Sequence, residues 1–132
     1  TSAPSSITQA AAAAALEAQP TLVSDMVDAF RRRRALMVDG LSQVPGFKVN
    51  QPMGAFYVFP DVSALFGKSF NGKTLNDAND VAFYLLEEAK VASVSGAAFG
   101  TPECIRLSYA AADDVLQEAV RRIDAACRQL TA

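Results

Sequence analysis

Apolar and polar residues follow two different spacings along this chain, and the change of spacing predicts its elements. Between residues 20 and 44, apolar side chains recur every three or four positions, which indicates one buried face of a long helix. They are Val23, Met26, Val27, Phe30, Met37, Leu41 and Val44. Pro20 suits the first turn of that helix, and Pro45-Gly46 predicts its end. The Ala-rich residues 1–19 predict a shorter helix before it, capped by Ser5 or Ser6.

Downstream of this helix, short apolar segments alternate with turn residues and predict a small sheet. The extended segments are 47–49, 54–59, 91–94 and 104–109. Residues 66–75 contain three turn signals and predict an exposed loop. Helices are predicted over 76–89, with Asn76 as the N-cap, and from Asp113 onward. This order predicts one α+β (α/β) domain over 1–132, with no internal boundary.

Composition excludes several classes of function. The 132 residues carry 12 Lys and Arg against 14 Asp and Glu, a net charge of −2 that predicts no binding to nucleic acid or membrane surfaces. The absence of His excludes His-dependent catalysis and imidazole metal ligands within this chain. Cys104 and Cys127 form no CxxC pair, so no metal site is predicted. Without a long apolar run or a framework of cysteines, we expect a cytoplasmic protein with reduced thiols.

Arg106 is the most informative charged residue. In the segment Cys104–Tyr109, strand alternation places Ile105 and Leu107 on one face and Arg106 with Ser108 on the other. An arginine among apolar residues needs a negative partner, and its planar guanidinium matches a carboxylate. The pattern alone leaves three possibilities open: a ligand site for an anion, an internal pair with Asp or Glu, or an exposed strand face.

Other candidates have simpler interpretations. Arg31–Arg34 point around most of the helix circumference, so a solvated stretch with partners such as Asp28 is favoured over a nucleic-acid site. Ser93–Gly100 lacks a Gly-Lys-Ser/Thr sequence and is interpreted as a turn. Three aromatic residues are assigned to the core, although one of them could line a cleft: Phe56, Tyr57 and Phe59. No lysine has the setting of a buried nucleophile; they are Lys48, Lys68, Lys73 and Lys90.

Several segments, taken in order, resemble one known family over nearly the whole chain. They are TSAPSSITQAAAAAAL, AFRRRR, VPGFKVNQPMGAFYVFPDV, AFYLLEEAKVASVSGAAFG and CIRLSYAAADDVLQEAVRRI. This succession resembles the C-terminal stretch of class I aminotransferases, in particular the bacterial aspartate aminotransferase group. The combination of PxGAFYxFP with GxxFGxxxxxRLSYA is specific for this family, whereas either motif alone is only moderately specific for it.

The resemblance implies a fold, a reaction and two site residues. Chain 1–132 would be the C-terminal small domain of a fold-type I enzyme, including the linking helix 20–44, with three to four short, mostly antiparallel strands and helices against them. The full-length parent enzyme would transfer an amino group between an amino acid and a 2-oxo acid by means of pyridoxal 5'-phosphate. Aspartate is the amino acid that the resemblance favours. Arg106 would bind the substrate α-carboxylate, and Phe56 would lie close to the cleft.

The resemblance also implies what this chain lacks. In the family, the cofactor's lysine and aspartate, most of its phosphate cup and the arginine that reads the substrate side chain lie upstream of Thr1. We therefore expect no catalytic or cofactor-binding residue here, no bound cofactor and no activity of the chain alone. The parent would be a homodimer, with Thr1–Ser6 near the partner's active site, although Ala3 replaces the family's usual asparagine.

Two alternatives to this interpretation remain open at the level of the sequence. The first is a stand-alone, non-catalytic module that binds a carboxylate or another protein. The second is a related fold-type I enzyme with another substrate, such as an aromatic or prephenate aminotransferase or a cyclase-like lyase.

Overall fold

The computed structural model describes residues 3–132, so the predictions for Thr1 and Ser2 lie outside the described residues. Over this part, the chain forms four α-helices and five short strands. The helices are α1 (Ser6–Glu17), α2 (Ser24–Leu41), α3 (Ala78–Tyr84) and α4 (Asp113–Cys127). The strands are β1 (Tyr57–Val58), β2 (Ser69–Phe70), β3 (Lys73–Thr74), β4 (Val94–Ser95) and β5 (Ile105–Ser108).

The central sheet is small and antiparallel, as the sequence interpretation predicts. Its strand order is β1-β5-β4, and both pairings are antiparallel. Val58 pairs with Leu107 on one side of β5, and Val94 pairs with Arg106 on the other. The longest strand, β5, therefore lies in the middle of the sheet. Together with the four helices, this antiparallel sheet confirms the predicted α+β class.

A single hydrophobic core lies between this sheet and the helices. Ile105, Leu107 and Tyr109 on one face of β5 are buried, which confirms the predicted alternation. The helices contribute further buried residues to the same cluster, namely Met37 and Leu41 of α2, Val81 of α3, and Leu116 and Ile123 of α4. Gly40 of α2 faces Val120 of α4, where a Cβ atom would lie 2.8 Å from Cγ1. The missing side chain thus allows a close approach of the two helices.

The long helix is shorter than the predicted range 20–44. A 3-10 turn covers Pro20–Val23, and the α-helix ends at Leu41, before Pro45-Gly46. Gly46 adopts a φ of +88°, and a side chain there would collide with Leu65. The predicted buried face also fails at its start, since Met26 and Val27 are exposed. Nothing in the described chain covers this end of the helix.

Several other boundaries differ from the predictions; segment 47–49 forms only an isolated bridge, and β4 begins where the predicted segment 91–94 ends. Residues 66–75 contain the β2-β3 hairpin around Asn71-Gly72 rather than only a loop. The N-cap of α3 is Asp77, whose carboxylate accepts two backbone N–H bonds; Asn76 lies one residue outside. The helix then continues to residue 89 as a π-helical turn. Strand β1 includes only two residues of the predicted segment 54–59, because the backbone before it turns.

Candidate functional site

The candidate site lies on the face of β5 that points away from the core. Arg106 is half-buried there, while its neighbours Ile105 and Leu107 are buried on the opposite face. The strand is held on both sides, by β1 and by β4. Alternation along a central strand therefore fixes the side from which the arginine projects.

The guanidinium of Arg106 contacts aromatic rings instead of an acidic residue. Its Cζ atom lies 4.7 Å from the centroid of the Phe99 ring and 5.6 Å from that of Tyr57. Such distances are typical of cation–π contacts. Among residues 3–132, its side chain forms neither an ion pair nor a hydrogen bond. The described chain thus contains no internal carboxylate partner for Arg106.

The segment before β5 places Phe99 over the arginine. A 3-10 helix covers Gly96–Phe99, and the Ser95 hydroxyl accepts a hydrogen bond from the Ala97 N–H at 3.3 Å. The Gly96 N–H donates to the Cys104 carbonyl at 2.7 Å. A Cβ atom on Gly96 would collide with the carbonyl oxygens of Thr101 and Cys104. Only glycine permits this close approach of the turn to the segment that precedes β5.

Phe56 is exposed next to this site, which corrects its assignment to the core. It is 54% exposed, and its ring lies edge-to-face with Tyr57 at 5.9 Å. The preceding residue, Ala55, adopts a left-handed φ of 65°, and its carbonyl accepts the Tyr109 hydroxyl at 3.0 Å. The Phe56 carbonyl accepts the Tyr109 N–H at 2.8 Å. Left-handed backbone is unfavourable for alanine, and these bonds hold it in place.

The arginines of α2 are bonded very differently. Arg31 pairs with Asp28 at 2.8 Å, which confirms the predicted partner. Arg32 and Arg33 both reach Asp113 at the start of α4, with Nε–O distances of 2.6 and 3.1 Å. Arg34 donates to the carbonyl of Pro52. The hydrogen bonds from Arg32 and Arg33 hold the pKa of Asp113 below its usual value.

The described residues do not by themselves fit a pyridoxal phosphate site. Such a site needs a lysine of lowered pKa in a buried or cationic setting. Lys48, Lys73 and Lys90 are exposed and Lys68 is only half-buried. Lys73 lies 3.8 Å from Glu87 in an exposed ion pair.

Among the described residues, the thiols and acidic residues form neither a reactive cysteine site nor a metal site. Burial raises the pKa of Cys104, and it raises the pKa of Cys127 to about 12. Both thiols stay protonated at neutral pH and behave as small apolar side chains. Within residues 3–132, no cluster of His, Cys, Asp and Glu is arranged to hold a metal ion. None of the helices described is both long and apolar enough to cross a membrane.

The sequence predicts Arg106 as a site residue but does not predict its ring contacts. The apolar pattern assigns Tyr57 to the core. The glycines and other turn-forming residues around Phe99 assign Phe99 to a turn. The available signal is the motif GxxFGxxxxxRLSYA, in which Phe99 and Arg106 both occur. Their spacing along the chain does not show that the 3-10 helix folds back over the strand.

Comparison with known proteins gives a consistent result. The family model "Aminotransferase class I and II" matches residues 1–123. An aspartate/prephenate aminotransferase from Cereibacter sphaeroides is 46% identical over an alignment of 132 positions, which covers 99% of this chain and 33% of that protein. The crystal structure of the aspartate aminotransferase from Rhizobium meliloti superposes with a TM-score of 0.91 at 42% identity, over 99% of this chain and 33% of its own.

A more distant structure was solved with a small dicarboxylate. It is the Thermus thermophilus aspartate aminotransferase with maleate, which superposes with a TM-score of 0.68 at 36% identity. The match covers 80% of this chain and 25% of that one. The chain spans about a third of the length of the curated relatives from Rhizobium meliloti and Cereibacter sphaeroides, at 32% and 33%.

Proposed function

This chain belongs to the class I and II aminotransferase family, and on that premise we propose that it is the C-terminal small domain of an aspartate aminotransferase. In this proposal the domain spans residues 1–132, including the helix that links it to the large domain. Arg106 binds the α-carboxylate of the substrate, and Phe56 forms part of the cleft wall.

One observation carries the proposal: Arg106 has no acidic partner in the described chain although it is half-buried. Burying part of a charge is unfavourable unless something compensates for it. The rings of Phe99 and Tyr57 compensate in part, yet they accept none of the in-plane N–H bonds in the way an oxygen would. A carboxylate can accept two of these bonds in parallel, which makes the pair both strong and directional.

The rest of the protein supplies the chemistry. When bound, pyridoxal phosphate withdraws electrons from the amino acid and so permits transfer of the amino group to a 2-oxo acid. This chain positions the substrate instead of reacting with it, and alone it is inactive. Exposed apolar residues at its N-terminal end, such as Ile7, Leu16 and Leu22, support a larger assembly that covers them. We expect that assembly to be a homodimer of the full-length enzyme.

Prephenate is the second candidate substrate. The relative with 46% identity carries the name aspartate/prephenate aminotransferase. Both candidates present an α-carboxylate to Arg106 once the amino group is in place, so this residue does not distinguish them. Comparing amino transfer from glutamate to oxaloacetate and to prephenate in the full-length protein would decide between them.

The experiment is an Arg106→Ala substitution in the full-length protein. Loss of a charged, bidentate contact reduces kcat/KM for aspartate by about 100-fold or more, since hydrogen bonds to charged groups contribute roughly 1.5–3 kcal/mol each. Arg32→Ala is the matched control, because Arg32 pairs with Asp113 away from β5. Near-normal efficiency of the Arg106 variant would contradict the assignment.

A further inference from the structure

We infer that Phe99 is a positioning residue, whose ring fixes the Arg106 guanidinium in the orientation that receives a substrate carboxylate. This inference rests on the proposed role of Arg106 and goes beyond it, because it explains how a flexible side chain without an oxygen partner is held in place. Phe99 is the nearer of the two rings, at 4.7 Å from Cζ.

A ring suits this task better than an acidic residue. A carboxylate beside Arg106 would neutralise its charge and occupy the same N–H donors that a substrate needs. An aromatic face attracts the cation through its quadrupole and leaves the edge of the guanidinium free. Holding the arginine before substrate arrives also reduces the side-chain entropy that is lost on binding.

Phe99 is itself held in place from two directions. Its ring lies edge-to-face with Phe59, with centroids 6.0 Å apart and planes at 88°. Its backbone ends the 3-10 helix, whose first residue, Gly96, packs against the carbonyls of Thr101 and Cys104. Gly100 closes the turn with a φ of +78°. The ring is 48% exposed, so its removal leaves the core intact.

The test compares three variants of the full-length protein: Phe99→Leu, Phe99→Tyr and, as a matched control, Phe83→Leu. Phe83 is exposed on α3 and does not contact Arg106. In Phe99→Leu, loss of a cation–π contact raises the KM for aspartate and the Kd for maleate by about 3- to 10-fold. Because binding in the ground and transition states weakens equally, kcat changes little. Phe99→Tyr restores the wild-type values, and Phe83→Leu retains them.

A spectroscopic readout separates positioning from direct contact between Phe99 and the substrate. In the protein without substrate, we expect the NMR signal of the Arg106 Nε–H to be shifted by the ring. The signal moves toward the position of a free arginine in Phe99→Leu, where only the Tyr57 ring remains, and stays in place in Phe99→Tyr. Thermal unfolding of each variant verifies that it folds.

Unchanged KM and Kd in Phe99→Leu would overturn the inference, as would an unmoved Arg106 signal or a failure of tyrosine to restore binding. These outcomes leave the proposed function standing. If Arg106→Ala itself binds maleate normally, both the inference and the proposed function fail, so the two failures are distinguishable.

Discussion

Arginines in two regions of the molecule have opposite surroundings. Where α2 meets α4, Arg32 and Arg33 converge on Asp113, and the carboxylate satisfies both. On β5, Arg106 lies between the rings of Phe99 and Tyr57 and has no oxygen partner within residues 3–132. The first arrangement links two helices of the domain. The second leaves strong donors unused.

The comparison separates charges that are paired within the chain from the one charge that the proposed function assigns to a substrate. An arginine that is already paired internally gains little from a ligand, whereas one that is held without an acidic partner gains the net contribution of a charged hydrogen bond, roughly 1.5–3 kcal/mol. The density of positive charge along the sequence would suggest a different site, because Arg31–Arg34 are four consecutive arginines whereas Arg106 stands alone. The proposed substrate site therefore rests on the bonding partners of each arginine and not on the number of charges.

Among the tests of this comparison, the largest effect is expected from exchanging arginine for lysine in each region of the full-length protein, although it is smaller than that of Arg106→Ala. Arg106→Lys keeps the charge but loses the planar fork, so kcat/KM for aspartate falls by about 10- to 100-fold. Arg32→Lys changes the same residue type at an exposed ion pair and leaves kcat/KM unchanged. Steady-state kinetics of both variants tests the distinction; equal losses would remove it.

A second prediction concerns the turn that carries Phe99. Gly96→Ala introduces a Cβ atom that collides with two backbone carbonyls. We expect it to lower the free energy of unfolding by about 1–3 kcal/mol, as overpacking generally does. It also weakens maleate binding, because the displaced turn moves Phe99. Denaturant unfolding and calorimetry measure the two effects, and a variant with full stability and full affinity would contradict this account of the turn.

A third, smaller effect is expected at the junction of α2 and α4. The pKa of Asp113 is lowered in the folded protein, mainly by hydrogen bonds from Arg32 and Arg33. Its stabilising contribution is therefore present above the unfolded pKa, about 4, and is lost as the pH falls through the lowered folded pKa. Asp113→Asn removes this contribution and lowers the melting temperature less than Gly96→Ala does.

The control for that prediction is the pH dependence of unfolding. Near neutral pH, wild type melts above Asp113→Asn, and the difference shrinks as the pH falls below about 4. Maleate binding at neutral pH is the same in both proteins, since Asp113 pairs with α2 and not with Arg106. A difference in melting temperature that increases as the pH falls would contradict a lowered pKa of Asp113 in the folded protein.

The smallest effect is expected at Glu118 on α4. Hydrogen bonds from Arg121 and Arg122 lower its pKa to about 2, yet all three groups are on the surface. Exposed pairs of this kind contribute little, because water and salt screen them. Glu118→Gln should leave both the melting temperature and kcat/KM near the wild-type values, as thermal unfolding and kinetics can verify.

Local patterns predict those parts of the fold that local interactions determine. The buried face of β5 follows from alternation, and in α4 the apolar residues Leu116, Ile123 and Cys127, which recur at helical spacing, are buried. The motif RLSYA singles out Arg106 as a candidate site residue from the sequence alone. Ser5 is one of the two predicted caps of α1, and its hydroxyl accepts the Thr8 N–H.

Parts that depend on contacts between distant segments are not predictable in the same way. The β2-β3 hairpin escapes prediction because each strand has only two residues, too few to show alternation. The assignment of Phe56 to the core is wrong because its apolar neighbours suggest a continuous strand. The left-handed Ala55 breaks that strand, and a hydrogen bond from Tyr109, just beyond the end of β5, holds it. No spacing within residues 54–59 encodes this contact.

The most direct test of the central claim is a crystal structure of the full-length protein with maleate. We predict that one carboxylate of maleate accepts two hydrogen bonds from the Arg106 guanidinium, with the ring of Phe99 against its face. Maleate bound elsewhere, or an Arg106 already paired with an acidic residue from another part of the protein, would contradict the account.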